Sequence, residues 1–68
     1  MIDINHLRTF VTIVREGSLS GAGRVLGFTQ PAISKHLSVL ENFFGARLLN
    51  RDIKGARLTA EGEVLYGY

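Results

Sequence analysis

The stretch GFTQPAISKHL, residues 27–37, places a helix start directly after a helix stop. Gly27 suits the left-handed residue that closes a preceding helix, and Phe28-Thr29 leave room only for a tight turn. Thr29 is a favourable N-cap, and Pro31 falls in the first turn, where its missing N–H costs nothing. Ile33, Leu37, Leu40 and Phe44 then recur at helical spacing and predict a buried stripe, and Gly45 ends the helix. At about 100° per residue, Pro31, Lys35, Ser38 and Asn42 lie opposite that stripe, with Gln30 and Ser34 on one flank. No acid occurs from Gly17 to Leu40, although the chain has six elsewhere.

Upstream, Ile4, Leu7, Val11 and Val14 recur with Phe10 beside them and predict a first helix over about residues 4–16. Asp3 is its N-cap and Gly17 its stop. Ser18 caps a short second helix through Leu26, with Leu19, Ala22, Val25 and Leu26 facing inward. Gly21 and Gly23 each cost about 1 kcal/mol relative to Ala, so this helix depends on packing. Gly23 reads as room for a close approach by the first helix.

Downstream, RLLNR and ARLT flank the turn-like DIKG and predict a two-stranded hairpin of low intrinsic stability. Thr59 caps a last helix from Ala60, with Glu61 and Glu63 near its positive end and Val64, Leu65 and Tyr68 as an apolar edge. The order is that of a winged helix-turn-helix: mainly α, with three helices, a two-stranded wing and the start of a fourth, linker helix. The unit spans residues 1–59, with the helix-turn-helix over about 19–38 and the wing over about 47–59. The linker helix begins at residue 60.

Sixty-eight residues make one small domain. With no cysteine and only two histidines, neither a disulfide nor a metal site is expected, and no cofactor is implied for this domain. No apolar run approaches the roughly 20 residues that span a membrane, and the N-terminus lacks a signal-peptide layout. A cytoplasmic protein with no membrane partner is expected. An enzyme is disfavoured, because no Ser–His–acid, paired-carboxylate or phosphate-loop pattern occurs.

Charge is uneven. Residues 1–34 carry three Arg against two acids, residues 35–57 five basic groups against two acids, and residues 58–68 two acids alone. A basic centre suits a polyanion. Gln pairs with adenine N6 and N7, Lys donates to guanine O6 and N7, and Ser serves either role. An acid on that face would be repelled by flanking phosphates. Backbone N–H groups after Ser18 and Thr29 are natural phosphate ligands. Arg51, Lys54 and Arg57 place three positive charges within seven residues of the hairpin, suited to the DNA backbone or to a narrow minor groove. Arg57 has a second reading, an ion pair with Glu61. His6 falls on the outer side of the first helix, His36 flanks the third helix's stripe, and Val39 with Phe43 extends the core. An alternative function is a winged helix that contacts another protein, which would need a continuous apolar patch on the third helix.

Three segments in register, FTQPAISKHLSVLE, FGARLLNR and RLTAEGE, closely resemble the N-terminal DNA-binding domain of LysR-type transcriptional regulators. The likeness runs from Leu7 to about Glu63. It implies that Gln30, Pro31, Ser34 and Lys35 face double-stranded DNA, with Arg51 at the wing. It also implies a bacterial, nucleoid-associated regulator whose larger C-terminal domain senses a small-molecule effector. In the family the last helix is a long linker pairing two subunits. Here it is cut after about nine residues, which predicts a homodimer in the full-length protein and weak or no pairing of this piece alone. Lys35 stands where the family more often has Arg, and Asp52 offsets part of the wing charge.

Overall fold

The computed structural model describes residues 3–52 and 55–68. Four helices and one hairpin follow in the order α1 (Ile4–Glu16), α2 (Leu19–Leu26), α3 (Gln30–Phe44), β1 (Leu49–Asp52), β2 (Gly55–Leu58) and α4 (Ala60–Tyr66). The winged helix-turn-helix is therefore the architecture of the chain.

Helix starts follow the capping residues. The Asp3 carboxylate accepts from Asn5 N–H at 2.8 Å and His6 N–H at 3.2 Å, while Asp3 N–H donates to His6 Nδ1 at 3.1 Å. This is a capping box closed by an imidazole in place of the usual Glu or Gln. Ser18 Oγ accepts from Gly21 N–H, Thr29 Oγ1 from Ala32 N–H, and Thr59 Oγ1 from Gly62 N–H. Helices α1, α2 and α3 each end on a left-handed glycine, Gly17, Gly27 and Gly45.

The core is built from Phe10, Ile13, Leu19, Ala22, Ile33, Leu37, Leu40, Leu48 and Leu49. Leu7, Val11, Val14 and Leu26 pack against it half-buried, and three other expected members are exposed. Ile4, in the first turn of α1, is exposed, and that helix instead buries Thr9, Phe10 and Ile13. Val25 is exposed because α2 turns Leu19 and Ala22 inward and leaves Leu26 half-buried. Phe44, the last residue of α3, stands partly in solvent with its ring centre 5.2 Å from that of Phe43. Phe43 is more exposed still and Val39 is half-buried without joining the side chains packed on the core, so the expected extension of the core by this pair does not form.

Gly23 has a different partner from the one expected. Its carbonyl accepts from both Gly27 N–H (2.8 Å) and Phe28 N–H (3.0 Å), and a Cβ there would meet Phe28 O at 2.7 Å. The glycine thus serves the turn between α2 and α3. The residue that comes near the end of α1 is Gly21, where a Cβ would meet that of Glu16 at 3.0 Å.

The strands pair antiparallel, with Leu49 opposite Leu58, Asn50 opposite Arg57 and Arg51 opposite Ala56. Such a hairpin is marginal alone, and bonds to the chain around it brace both its turn end and its base. Ala56 N–H donates to Gly17 O, Thr59 N–H to Leu48 O, and the Thr59 hydroxyl to Arg47 O. Helix α4 then crosses the base of the hairpin so closely that a Cβ on Gly62 would run into the Leu48 carbonyl. Gly62→Ala should therefore destabilise by about 1–3 kcal/mol through overpacking, a fall in Tm of about 5–20 °C for so small a domain. Gly67→Ala, where a Cβ meets nothing nearer than 3.4 Å, should leave Tm almost unchanged. Paired thermal melts followed by circular dichroism check both.

Candidate nucleic-acid interface

The stripe Ile33, Leu37 and Leu40 is at most 1% exposed and presses α3 against the other helices. The opposite side of α3 is therefore turned outward, and Gln30, Pro31, Lys35, Ser38 and Asn42 are all exposed there. Ser34 is half-buried on the flank. Thr29 is exposed too, but its hydroxyl oxygen is engaged by Ala32 N–H at 3.3 Å. These residues form one continuous polar surface with a single cation and no carboxylate.

The two helix N-termini differ as anion ligands. At α2, Gly21 and Ala22 donate to Ser18, which leaves the Leu19 and Ser20 N–H groups outside the capping bonds. At α3, Pro31 has no N–H, and Ala32 and Ile33 donate to Thr29, which leaves only that of Gln30. The start of α2 is thus the better backbone clamp for a phosphate, and α3 is left to offer side chains.

On the hairpin the register separates charges that the sequence groups together. Arg51 and Arg57 are both exposed but point to opposite faces, since their cross-strand partners are Ala56 and Asn50 respectively. Among the described residues, no ion pair joins Arg57 and Glu61. Lys54, expected at the wing tip, lies outside the described residues. On α4, Val64 is exposed while Leu65 packs against the core, and the helix stops at Tyr66, so the exposed Tyr68 lies beyond its end rather than on the expected helical edge. Phe44, Ala46, Leu48, Val64 and Leu65 line an apolar groove of about 280 Å³ between the end of α3 and α4. Among the described residues, no helix is long and apolar enough to cross a membrane.

Two side-chain ties escaped the sequence reading. The Glu41 carboxylate, near the end of α3, accepts from Leu48 N–H at 2.8 Å and Leu49 N–H at 3.3 Å, joining the outward-facing helix to the first strand. His6 is not on the outer side of α1: its side chain is 16% exposed, and its ring centre lies 5.3 Å from that of His36. His36 in turn is hydrogen-bonded to the buried Thr9. An acid breaking an otherwise acid-free helix was the available signal for Glu41. A histidine beside an apolar stripe gives no comparable one.

A tight-turned helix pair with an exposed, acid-free second helix and a flanking hairpin defines the helix-turn-helix class of regulatory proteins. The family model described as bacterial regulatory helix-turn-helix protein, lysR family, matches residues 4–63, and the chain belongs to that family. It is 47% identical over 62 residues to the uncharacterized HTH-type transcriptional regulator YdcI of Escherichia coli, covering 91% of this chain and 20% of that protein. It is 42% identical over 60 residues to the HTH-type transcriptional regulator TdcA of Escherichia coli, covering 88% and 19%. Among solved structures, the CbnR DBD–DNA complex has a TM-score of 0.93 at 29% identity, with 97% of this chain and 76% of that chain covered. The BenM DBD–catB site 1 DNA complex has a TM-score of 0.93 at 36% identity, covering 98% and 75%. The chain therefore spans about a fifth of the length of the relatives it matches.

The Glu41 tie generates a prediction. Glu41→Ala leaves two backbone N–H groups of buried residues without their acceptor, a loss of about 1–3 kcal/mol for each. Hydrogen exchange at the Leu48 and Leu49 amides should accelerate by about tenfold or more. Glu41→Gln, which keeps one acceptor oxygen, should fall between Ala and the parent.

Proposed function

We propose that this chain is the sequence-reading DNA-binding domain of a transcriptional regulator. Helix α3 enters the major groove, where Gln30, Pro31, Ser34, Lys35 and Ser38 meet base edges, and Thr29 lies at the adjoining backbone. Arg51 and Lys54 bring the wing to the phosphates or the minor groove. The observation that carries this reading is the exposed, acid-free face of α3, in a fold that superposes on domains solved with DNA. Donors and hydroxyls are the groups that read base edges, and the lone Lys35 marks a place for a guanine. The domain carries no chemistry of its own and acts by occupying DNA.

In the full-length protein, the reading continues to a homodimer that pairs through a longer linker helix. The exposed Val64 and Tyr68, with Leu65 beside them and the apolar groove next to α4, support it. Two-fold pairing sets half-sites about one helical turn of DNA apart, or a multiple of it. A small-molecule effector belongs to a C-terminal domain, and the assembled regulator to the bacterial cytoplasm. A protein-docking winged helix is the weaker reading, because the exposed side of α3 is polar until Phe43.

Fluorescence anisotropy tests the proposal, on a duplex selected by this chain from a random pool and on a shuffled copy. The selected duplex should bind more tightly, and both affinities should fall steeply between about 50 and 200 mM salt. Lys35→Ala should cut the preference for the selected duplex by about tenfold, the worth of one good base contact. Arg57→Ala should weaken both duplexes alike and lower the salt slope by about 1 if that outer face of the wing meets phosphate. Failure to bind either duplex at low salt overturns the reading.

A further inference from the structure

The apolar stripe that seats α3 is non-directional: it favours burial but does not select one rotation of the helix about its axis. Directional ties from α3 to other elements are few. Among the described residues they are the Glu41 carboxylate to the first strand and a single bond to α1, His36 Nδ1 to Thr9 Oγ1 at 2.9 Å. His36 directly follows Lys35 and lies two residues after Ser34, so this bond acts on the helical turn that presents both.

The bond is well held. Thr9 is fully buried, and His36 is the side-chain partner of its hydroxyl. The imidazole is set edge-on between two other rings, His6 of α1 at 5.3 Å and Phe28 of the α2–α3 turn at 5.2 Å. Those rings restrict its swing and tie it to both the first helix and the turn. His6 is itself fixed by the backbone of Asp3, whose N–H it accepts. One imidazole thus meets the first helix, the turn and the outward-facing helix.

We infer that His36, through Thr9, is a positioning residue that sets the rotation of α3 and so the aim of Ser34 and Lys35 at base edges. The inference rests on the DNA-reading function proposed above. A bond that only stabilised the fold would, on removal, lower Tm and leave DNA preference intact in the folded protein. A positioning bond would, on removal, lower the preference for a selected duplex while binding to a shuffled duplex, governed by charge, stays the same.

Thr9→Val keeps the branched shape and removes the hydroxyl, whereas Thr9→Ser keeps the hydroxyl and removes a core methyl. Both are measured with the parent on the selected and shuffled duplexes, well below each Tm. Thr9→Val should lose about tenfold of the preference with shuffled-duplex affinity unchanged. Thr9→Ser should keep the preference despite a lower Tm. His36→Leu should match Thr9→Val, which supplies a second route to the same result. Full preference in Thr9→Val or in His36→Leu overturns the inference, as does a loss in Thr9→Ser equal to that in Thr9→Val. A parent that shows no preference overturns it too, and does so through the DNA reading itself, which the parent measurement alone reveals.

Discussion

The turn between α2 and α3 folds back tightly on residue 23, which has no side chain. Its carbonyl takes two N–H groups, from Gly27 and Phe28, and the Phe28 carbonyl oxygen would lie only 2.7 Å from a Cβ. A bulkier residue would push the turn open and move the start of α3 away from α2. Everything outward-facing on α3 inherits that geometry. The isolated α2 pays for it in helix propensity, since two of its eight residues are glycine. The buried Leu19 and Ala22 offset that cost through packing, so the second helix exists because the third is seated on it.

The far end of α3 is fixed differently. A hairpin of four-residue strands has little stability of its own, yet it must hold its face beside the helix. Leu48 supplies the junction three times over: its side chain is core, its N–H goes to Glu41, and its carbonyl accepts from Thr59. Gly62 lets α4 lie directly against that same carbonyl. Helix α3, the start of β1 and α4 therefore meet at one residue, and a displacement of any one is felt by the other two.

Element order, caps and stops were readable from the sequence because they depend on one or two local residues. Thr29 followed by Pro31 marks a helix start in any surroundings, and Gly17, Gly27 and Gly45 mark stops. Burial at helix ends was less readable. Ile4, Val25 and Phe44 continue an apolar spacing past the point where another element covers them, and periodicity carries no information about that cover. The histidine cluster and the partners of Glu41 were not readable for a related reason. Their partners are 27, 7 and 8 residues away, and a polar side chain beside a stripe has no periodic signature. The wing charges were visible as a group, but only the register separates Arg51 from Arg57.

The acids complete the account of the acid-free face, because those with visible work do it away from that surface. Asp3 caps α1. Glu41 is turned back into the hydrogen bonds of Leu48 and Leu49 rather than outward beside Asn42. Glu61 and Glu63 sit in the first turn of α4, where the helix dipole favours them. An acid on the outer side of α3 would stabilise none of these elements and would weaken attraction to any polyanion. The same negative charge is thus helpful at α1, α4 and the strand junction and harmful on one face. A chain with net charge of only +2 can therefore present a locally positive surface by placement, without the large excess of Lys and Arg that would strain so small a core through self-repulsion.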